Sequence, residues 1–145
     1  MAGLRWKHLS PAERVLWDRF MSKYGHLWSI YEYDVAVGKG RPPQPYWEDW
    51  LKELQAKLSK RRIDVVAKRD GEIWIFEIKP QAGLSALGQV LGYKVLYERD
   101  FEPKEKIYLA IVTDVLDDDV KYVYECYDVK YYVMPPPLEP PLVAR

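Results

Sequence analysis

Two short apolar runs carry charges that an ordinary strand would not keep. Ile73-Trp74-Ile75-Phe76-Glu77-Ile78-Lys79 ends with an acid and a base on one face. Thirteen positions before Glu77 (77 − 64 = 13), Asp64 sits inside a second run, Ile63-Asp64-Val65-Val66-Ala67. Asp70-Gly71 lies between them, and Asp-Gly is the strongest short signal for a two-residue hairpin turn. That turn sets Arg69 against Glu72, Val66 against Ile75 and Asp64 against Glu77. Directly opposed residues have Cβ atoms roughly 5 Å apart, and like charges so placed repel. Burial makes the repulsion worse. A divalent cation held between the carboxylates removes both penalties. Lys79 follows two residues on, on the same face. A solvated acidic edge is the other reading of such a pair. The neighbours argue against it: Val66, Ile73 and Ile75 share the acids' face, and Val65, Trp74, Phe76 and Ile78 fill the opposite one. Strands apolar on both faces sit centrally in a sheet.

The chain around these runs has 145 residues, enough for one domain with a real core. Residues 1–134 read as that domain, and 135–145 as a proline-rich extended tail. Apolar residues make up 48 %, which excludes a disordered chain. With 22 basic and 22 acidic residues, net charge points to no polyanionic partner. No run reaches membrane-spanning length, so no membrane association is expected. The first residues lack the apolar core of a secretory signal, and Cys126 is the only cysteine. Both fit a reducing, cytoplasmic location and exclude a zinc site built on several thiolates. Asn is absent, Thr113 is the sole threonine and 30 % of residues are charged, which suggests a hot habitat, with a biased base composition as the alternative.

Several elements must position the pair. Ser10-Pro11-Ala12-Glu13 opens a helix with a cap, a first-turn proline and a capping-box acid. Leu9, Leu16, Trp17, Phe20 and Tyr24 recur at helical spacing until Gly25. Trp28 to Val37 reads as a strand, residues 38–45 as a loop, and Tyr46 to about Lys60 as a helix with Trp47, Trp50, Leu51, Leu54 and Leu58 on one stripe. After the hairpin come a helix from Ser85 to Tyr97, a strand from Ile107 to Val112, a short helix from Asp117 to Tyr127 and a strand from Tyr131 to Met134. Helices alternating with strands predict a layered α/β domain with a mixed sheet.

An Asp late in one strand, Glu-x-Lys on its hairpin partner, and then Gln89-Val90-Leu91-Gly92-Tyr93 in the next helix resemble the PD-(D/E)XK nuclease superfamily. The last element is similar to the Gln-x-x-x-Tyr segment of RecB-type members, and a helical acid before the first strand, as in Holliday-junction-resolvase-like members, would be Glu13. The similarity runs from Ser10 to Thr113, with Ile63 where the family often has proline. It implies a restriction-endonuclease-like αβββαβ core with a mixed central sheet flanked by helices. It also implies a metal-dependent phosphodiester hydrolase acting on DNA. A nuclease fold kept for nucleic-acid binding or as an accessory subunit, without turnover, is the alternative.

The resemblance assigns roles. Asp64 and Glu77 would hold Mg²⁺ or Mn²⁺, with the Ile78 carbonyl as a further ligand. Lys79 would orient the attacking water or stabilise the transition state. Glu13 has two readings, a capping-box acid or a third ligand, because it also falls on the core-facing stripe. Glu32 and Asp34 are rival third acids. Ser85, Gln89 and Tyr93 share one helical face, with Gly88 and Gly92 beside them allowing close approach to the sheet. Gln89 would bond the catalytic lysine or a phosphate, supported by Tyr93. Lys57, Lys60, Arg61, Arg62, Lys68 and Arg69 gather at the hairpin entry, where Arg62 should face Lys79. They suit a phosphate backbone, as do Lys39 and Arg41 in the loop. His8 and His26 show no ligand pattern. A homodimer, or docking into a larger DNA-processing complex, fits the same reading.

Overall fold

A computed structural model describes Trp6 and residues 8–136; most of the predicted proline-rich tail lies outside the described residues. Helix α1 spans Pro11–Tyr24 and starts as its sequence dictates. The Glu13 N–H donates to Ser10 Oγ at 3.2 Å, and the Ser10 N–H donates to Glu13 Oε1 at 3.1 Å. Leu16, Trp17 and Phe20 form its buried stripe. The remaining elements are β1 (Ile30–Val37), α2 (Asp49–Ser59), β2 (Arg61–Arg69), β3 (Glu72–Ile78), α3 (Leu84–Phe101), β4 (Lys106–Thr113), α4 (Asp118–Cys126) and β5 (Val129–Val133). The predicted αβββαβ order is present, with α2 inserted between the first two strands.

The five strands form one mixed sheet in the order β1-β2-β3-β4-β5. The pairs β1–β2 and β2–β3 are antiparallel; β3–β4 and β4–β5 are parallel, and α3 and α4 make the crossovers. The hairpin register follows the Asp70-Gly71 turn: Arg69 pairs with Glu72 and Val66 with Ile75. Asp70 (φ 24°) and Gly71 (φ 76°) both lie at positive φ, as a tight hairpin turn requires. The central strand β3 is apolar on both sides because it serves two cores. Val66, Ile73 and Ile75 pack with Val90, Tyr93 and Tyr124 beneath α3 and α4. Val65, Trp74, Phe76 and Ile78 pack with Trp17, Phe20 and Trp28 beneath α1. Rings dominate the second core, with Phe76 edge-on to Trp17, Phe20 and Trp28 at centroid distances of 5.2–5.5 Å.

Several boundaries differ from the sequence reading. β1 begins at Ile30, α3 runs on to Phe101, and β5 starts at Val129. The larger correction concerns α2, which begins at Asp49 and buries none of its residues. Its apolar stripe faces outward, with Trp50 63 % and Leu58 72 % exposed, while Gln55, Ala56 and Ser59 turn inward. Among the described residues no helix is long and apolar enough to cross a membrane.

These environments separate two aromatic substitutions. Phe76→Ala is expected to lose about 3–5 kcal/mol in urea unfolding, because its neighbours cannot collapse into the space. Trp50→Ala is expected to change stability by less than about 0.5 kcal/mol. Equal losses would contradict the outward placement of α2.

Candidate active site

The β2–β3 ladder stops at Val65–Phe76, one step short of Asp64 and Glu77. Beyond it the side chains take over the bonding. Asp64 Oδ2 accepts the Ile78 N–H at 2.9 Å, replacing a ladder bond, and its carboxyl hydrogen-bonds that of Glu77. The predicted juxtaposition is therefore present; Glu77 is only 6 % exposed, and Asp64 is half-buried beside it. The Lys79 N–H donates to the Val112 carbonyl at 2.9 Å, on the β4 side. In a trans peptide the Ile78 C=O points opposite to the Lys79 N–H, and so toward the Asp64 side. Three oxygen donors thus converge at the end of the hairpin. The half-buried Lys79 forms no ion pair with either acid among the described residues.

Electrostatics make the pair share one proton. Burial, then the charge of Asp64, push the Glu77 carboxyl up to about 9, against a partial opposing pull from Lys79. Burial also raises Asp64, but there the Ile78 N–H and the Glu77 carboxyl act in the opposite sense. The hydrogen bond between them acts upward on Glu77 and downward on Asp64, so the pair as a whole holds one proton that burial keeps in place.

A cavity of about 410 Å³ is lined by Arg61, Ser85, Gly88, Gln89, Gly92 and Tyr93. The predicted polar strip on α3 and one of the predicted arginines therefore meet. The Glu77 and Asp64 charges both act on the Tyr93 hydroxyl, which burial chiefly pushes up to about 12, so it stays protonated. Gln89 Nε2 lies 3.4 Å from the Tyr93 hydroxyl, while Gln89 Oε1 is buried without a donor. Turning the amide over lets the Tyr93 O–H donate to Oε1 and leaves Nε2, in place of Oε1, as the group without a partner.

Other assignments change. Gly88 and Gly92 do not let α3 approach the sheet; both are exposed, and an added Cβ would meet nothing within 4 Å. Arg62 does not face Lys79, because the ladder ends early. It pairs instead across β1, with its guanidinium 3.8 Å from Asp34. Glu32 binds Lys68 at 3.2 Å, so both rival acids are tied to cations of β2. Glu13 Oε1 accepts the Ser10 N–H of the capping box, and the Glu13 charge also acts on both acids, raising each. Among the described residues no group of three or more His, Cys, Asp or Glu is placed to hold a metal. Lys39 and Arg41 line a separate cavity, with Arg61 common to both.

Two residues escaped the sequence reading. His8 Nε2–H donates to the Asp64 carbonyl at 3.1 Å. Thr113 is fully buried, and its Oγ1 lies 3.1 Å from both the Ala82 N–H and the Pro80 carbonyl, fixing the turn that carries Lys79 toward α3. Neither has a spacing that marks it; the lone threonine in a buried strand was the one available signal.

No protein-family model matches the chain, and no curated protein matches it. Among solved structures it is similar to a repair endonuclease from Pyrococcus abyssi, with 18 % identity and a TM-score of 0.51 over 89 % of this chain and 48 % of that one. A protein of unknown function aligns with 17 % identity and a TM-score of 0.47 over 81 % of this chain and 56 % of that one, too loosely to carry an argument. The chain spans about half the length of the solved structures it matches. Such identities speak to fold alone: this is a restriction-endonuclease-like α/β fold, a mixed five-stranded sheet flanked by helices.

The shared proton gives a pH signature. In the unfolded chain Glu77 ionises at its ordinary 4.5, whereas the folded protein keeps that proton until about 9. Between those values the folded state binds more protons, so stability falls as pH rises. Thermal melts without metal are expected to show a melting temperature that declines across this window, and Glu77→Gln should flatten the decline. A melting temperature rising toward high pH in the parent would contradict the assignment.

Proposed function

We propose that the protein is a metal-dependent nuclease that hydrolyses phosphodiester bonds in DNA. The observation that carries this reading is the carboxyl pair, Asp64 and Glu77, held in hydrogen-bond contact beside Lys79. A protein that only binds has no use for such a costly arrangement. The donors suit a hard divalent cation, Mg²⁺ or Mn²⁺: two carboxylates and the Ile78 carbonyl, all oxygen. A cation there replaces the shared proton and relieves the repulsion that burial creates. The fold of a repair endonuclease points the same way.

When bound, such a cation lowers the pKa of its water and neutralises charge developing on the phosphate. The chain's own groups do the rest. Asp64 and Glu77 fix the cation's place at the end of the hairpin. The Lys79 ammonium, two residues past Glu77, orients the attacking water and donates to a non-bridging phosphate oxygen. Gln89, locked by Tyr93, offers its Nε2 to the phosphate from α3. Arg61 and Ser85 contact the strand from the opposite walls of the cavity. Water adds to phosphorus and gives up a proton to solvent as the bond to the 3′ oxygen breaks, and that oxygen takes a proton from solvent, leaving a 5′ phosphate and a 3′ hydroxyl.

Plasmid and linear single- and double-stranded DNA incubated with Mg²⁺, Mn²⁺ or EDTA test this reading. Cleavage that needs the cation is expected. Glu77→Ala and Lys79→Ala should each lower its rate by about 10²–10⁴. Undiminished cleavage by both variants would refute the assignment. An intact parent that binds DNA without cutting any form would instead mark a binding module on this fold.

A further inference from the structure

The insertion between β1 and β2 builds a second concavity that the acid pair does not use. It measures about 350 Å³ and is lined by Lys39, Gly40, Arg41, Arg61, Leu96 and Arg99. Its rim is held rigidly. The Gly38 N–H donates to Asp100 Oδ2 at 2.7 Å, and the Arg41 N–H donates to Ser59 Oγ at 2.6 Å. Ser59 in turn donates to the Gln55 carbonyl at 2.6 Å. Gly40 has φ +79°, and a Cβ there would lie 2.4 Å from the Ala56 carbonyl oxygen and 2.6 Å from Ser59 Oγ. Only glycine lets the loop press this closely on α2. The loop is thus pinned at both ends, and it presents Lys39 and Arg41 between the pins.

Those cations are left uncompensated. Arg62, Lys68, Arg69 and Arg99 each have an acidic partner, whereas among the described residues no ion pair involves Lys39, Arg41 or Arg61. Three like charges held around one hollow by a fixed loop favour an anion. Arg61 also lines the cavity beside the acid pair, and it pairs with Val37, the residue from which the loop springs. Helix α3 floors both hollows, the first with Gln89 and Gly92 and the second with Leu96 and Arg99. From Gln89 to Leu96 is seven residues of helix, about 10 Å at ~1.5 Å each. From Asp64 to Arg61 is three residues of strand, again about 10 Å. A nucleic-acid backbone covers that distance within a few nucleotides.

We propose that the Lys39–Arg41 loop is a second phosphate-binding site, which grips the backbone of the substrate strand a few nucleotides from the bond cut at Asp64 and Glu77, with Arg61 bridging the two positions. This rests on the nuclease reading and specifies how it holds its substrate. Phosphate contacts set register without reading sequence, so the loop measures position along the strand. The exposed Gly88 and Gly92 leave the floor of the first hollow bare where the strand would cross it.

Fluorescence anisotropy with labelled single-stranded and duplex DNA tests the proposal, using the full chain in EDTA at about 50 to 200 mM salt. The Lys39→Ala/Arg41→Ala double variant should bind more weakly, with its log–log salt slope reduced by about 2. Gly40→Val keeps every charge but forces the loop off α2, so it should weaken binding in the same direction. On substrates trimmed stepwise on one flank of the cut, the double variant should lose its handicap once the strand no longer reaches the loop. Unchanged affinity and slope in the double variant, with a parent that still cuts, would overturn the loop assignment alone. A parent that neither binds nor cuts overturns the nuclease reading and the loop with it. Displacement of the strand by inorganic phosphate at equal concentration would show an isolated anion site and overturn the strand assignment.

Discussion

Two carboxyl groups in a largely buried pocket cannot both be charged without a counterion, and the arrangement of this molecule follows from that restriction. Asp64 and Glu77 occupy the last positions of the central hairpin, where the backbone ladder has just ended. The sheet buries β3 from both faces, so water screens Glu77 poorly. Coulomb repulsion at contact distance is several-fold stronger at protein-like permittivity than in water. The protein resolves it with one shared proton and one nearby ammonium.

The surroundings keep the pair in place without neutralising it fully. Asp64 is tied through its side chain to the Ile78 N–H and through its carbonyl to His8. Thr113 secures the turn after Lys79 to β4. Lys79 is close enough to lower Glu77 but does not close an ion pair on it. On α3, Tyr93 keeps its proton and can lock the Gln89 amide. The groups nearest the acids are therefore donors. The basic residues stand farther out, joined to the site through Arg61.

The hairpin was legible because its signals are local. Asp70-Gly71 fixes the register, and the register fixes which side chains meet. The strip of Ser85, Gln89 and Tyr93 was equally legible, since residues four apart on a helix share a face. Periodicity fails where it shows that a face is apolar but not what covers it. The stripe on α2 was read correctly as a stripe, yet it points to solvent because Gln55, Ala56 and Ser59 make the inward contacts. Extrapolating the hairpin ladder misplaced Arg62, because the Asp64 side chain captured a backbone N–H and ended the pairing. Gly88 and Gly92 were read as permitting contact with the sheet, but a small residue equally marks a surface left open. His8 reaches Asp64 across 56 positions of chain, and no sequence spacing encodes such a contact.

The shared proton can be counted directly. Mg²⁺ or Mn²⁺ is titrated into the protein by calorimetry near neutral pH, in buffers of different ionisation enthalpy. Release of about one proton per cation is expected for the parent and none for Glu77→Gln. Cation binding with no proton released by the parent, or with equal release by parent and variant, would contradict a carboxyl pair that exchanges its proton for a metal.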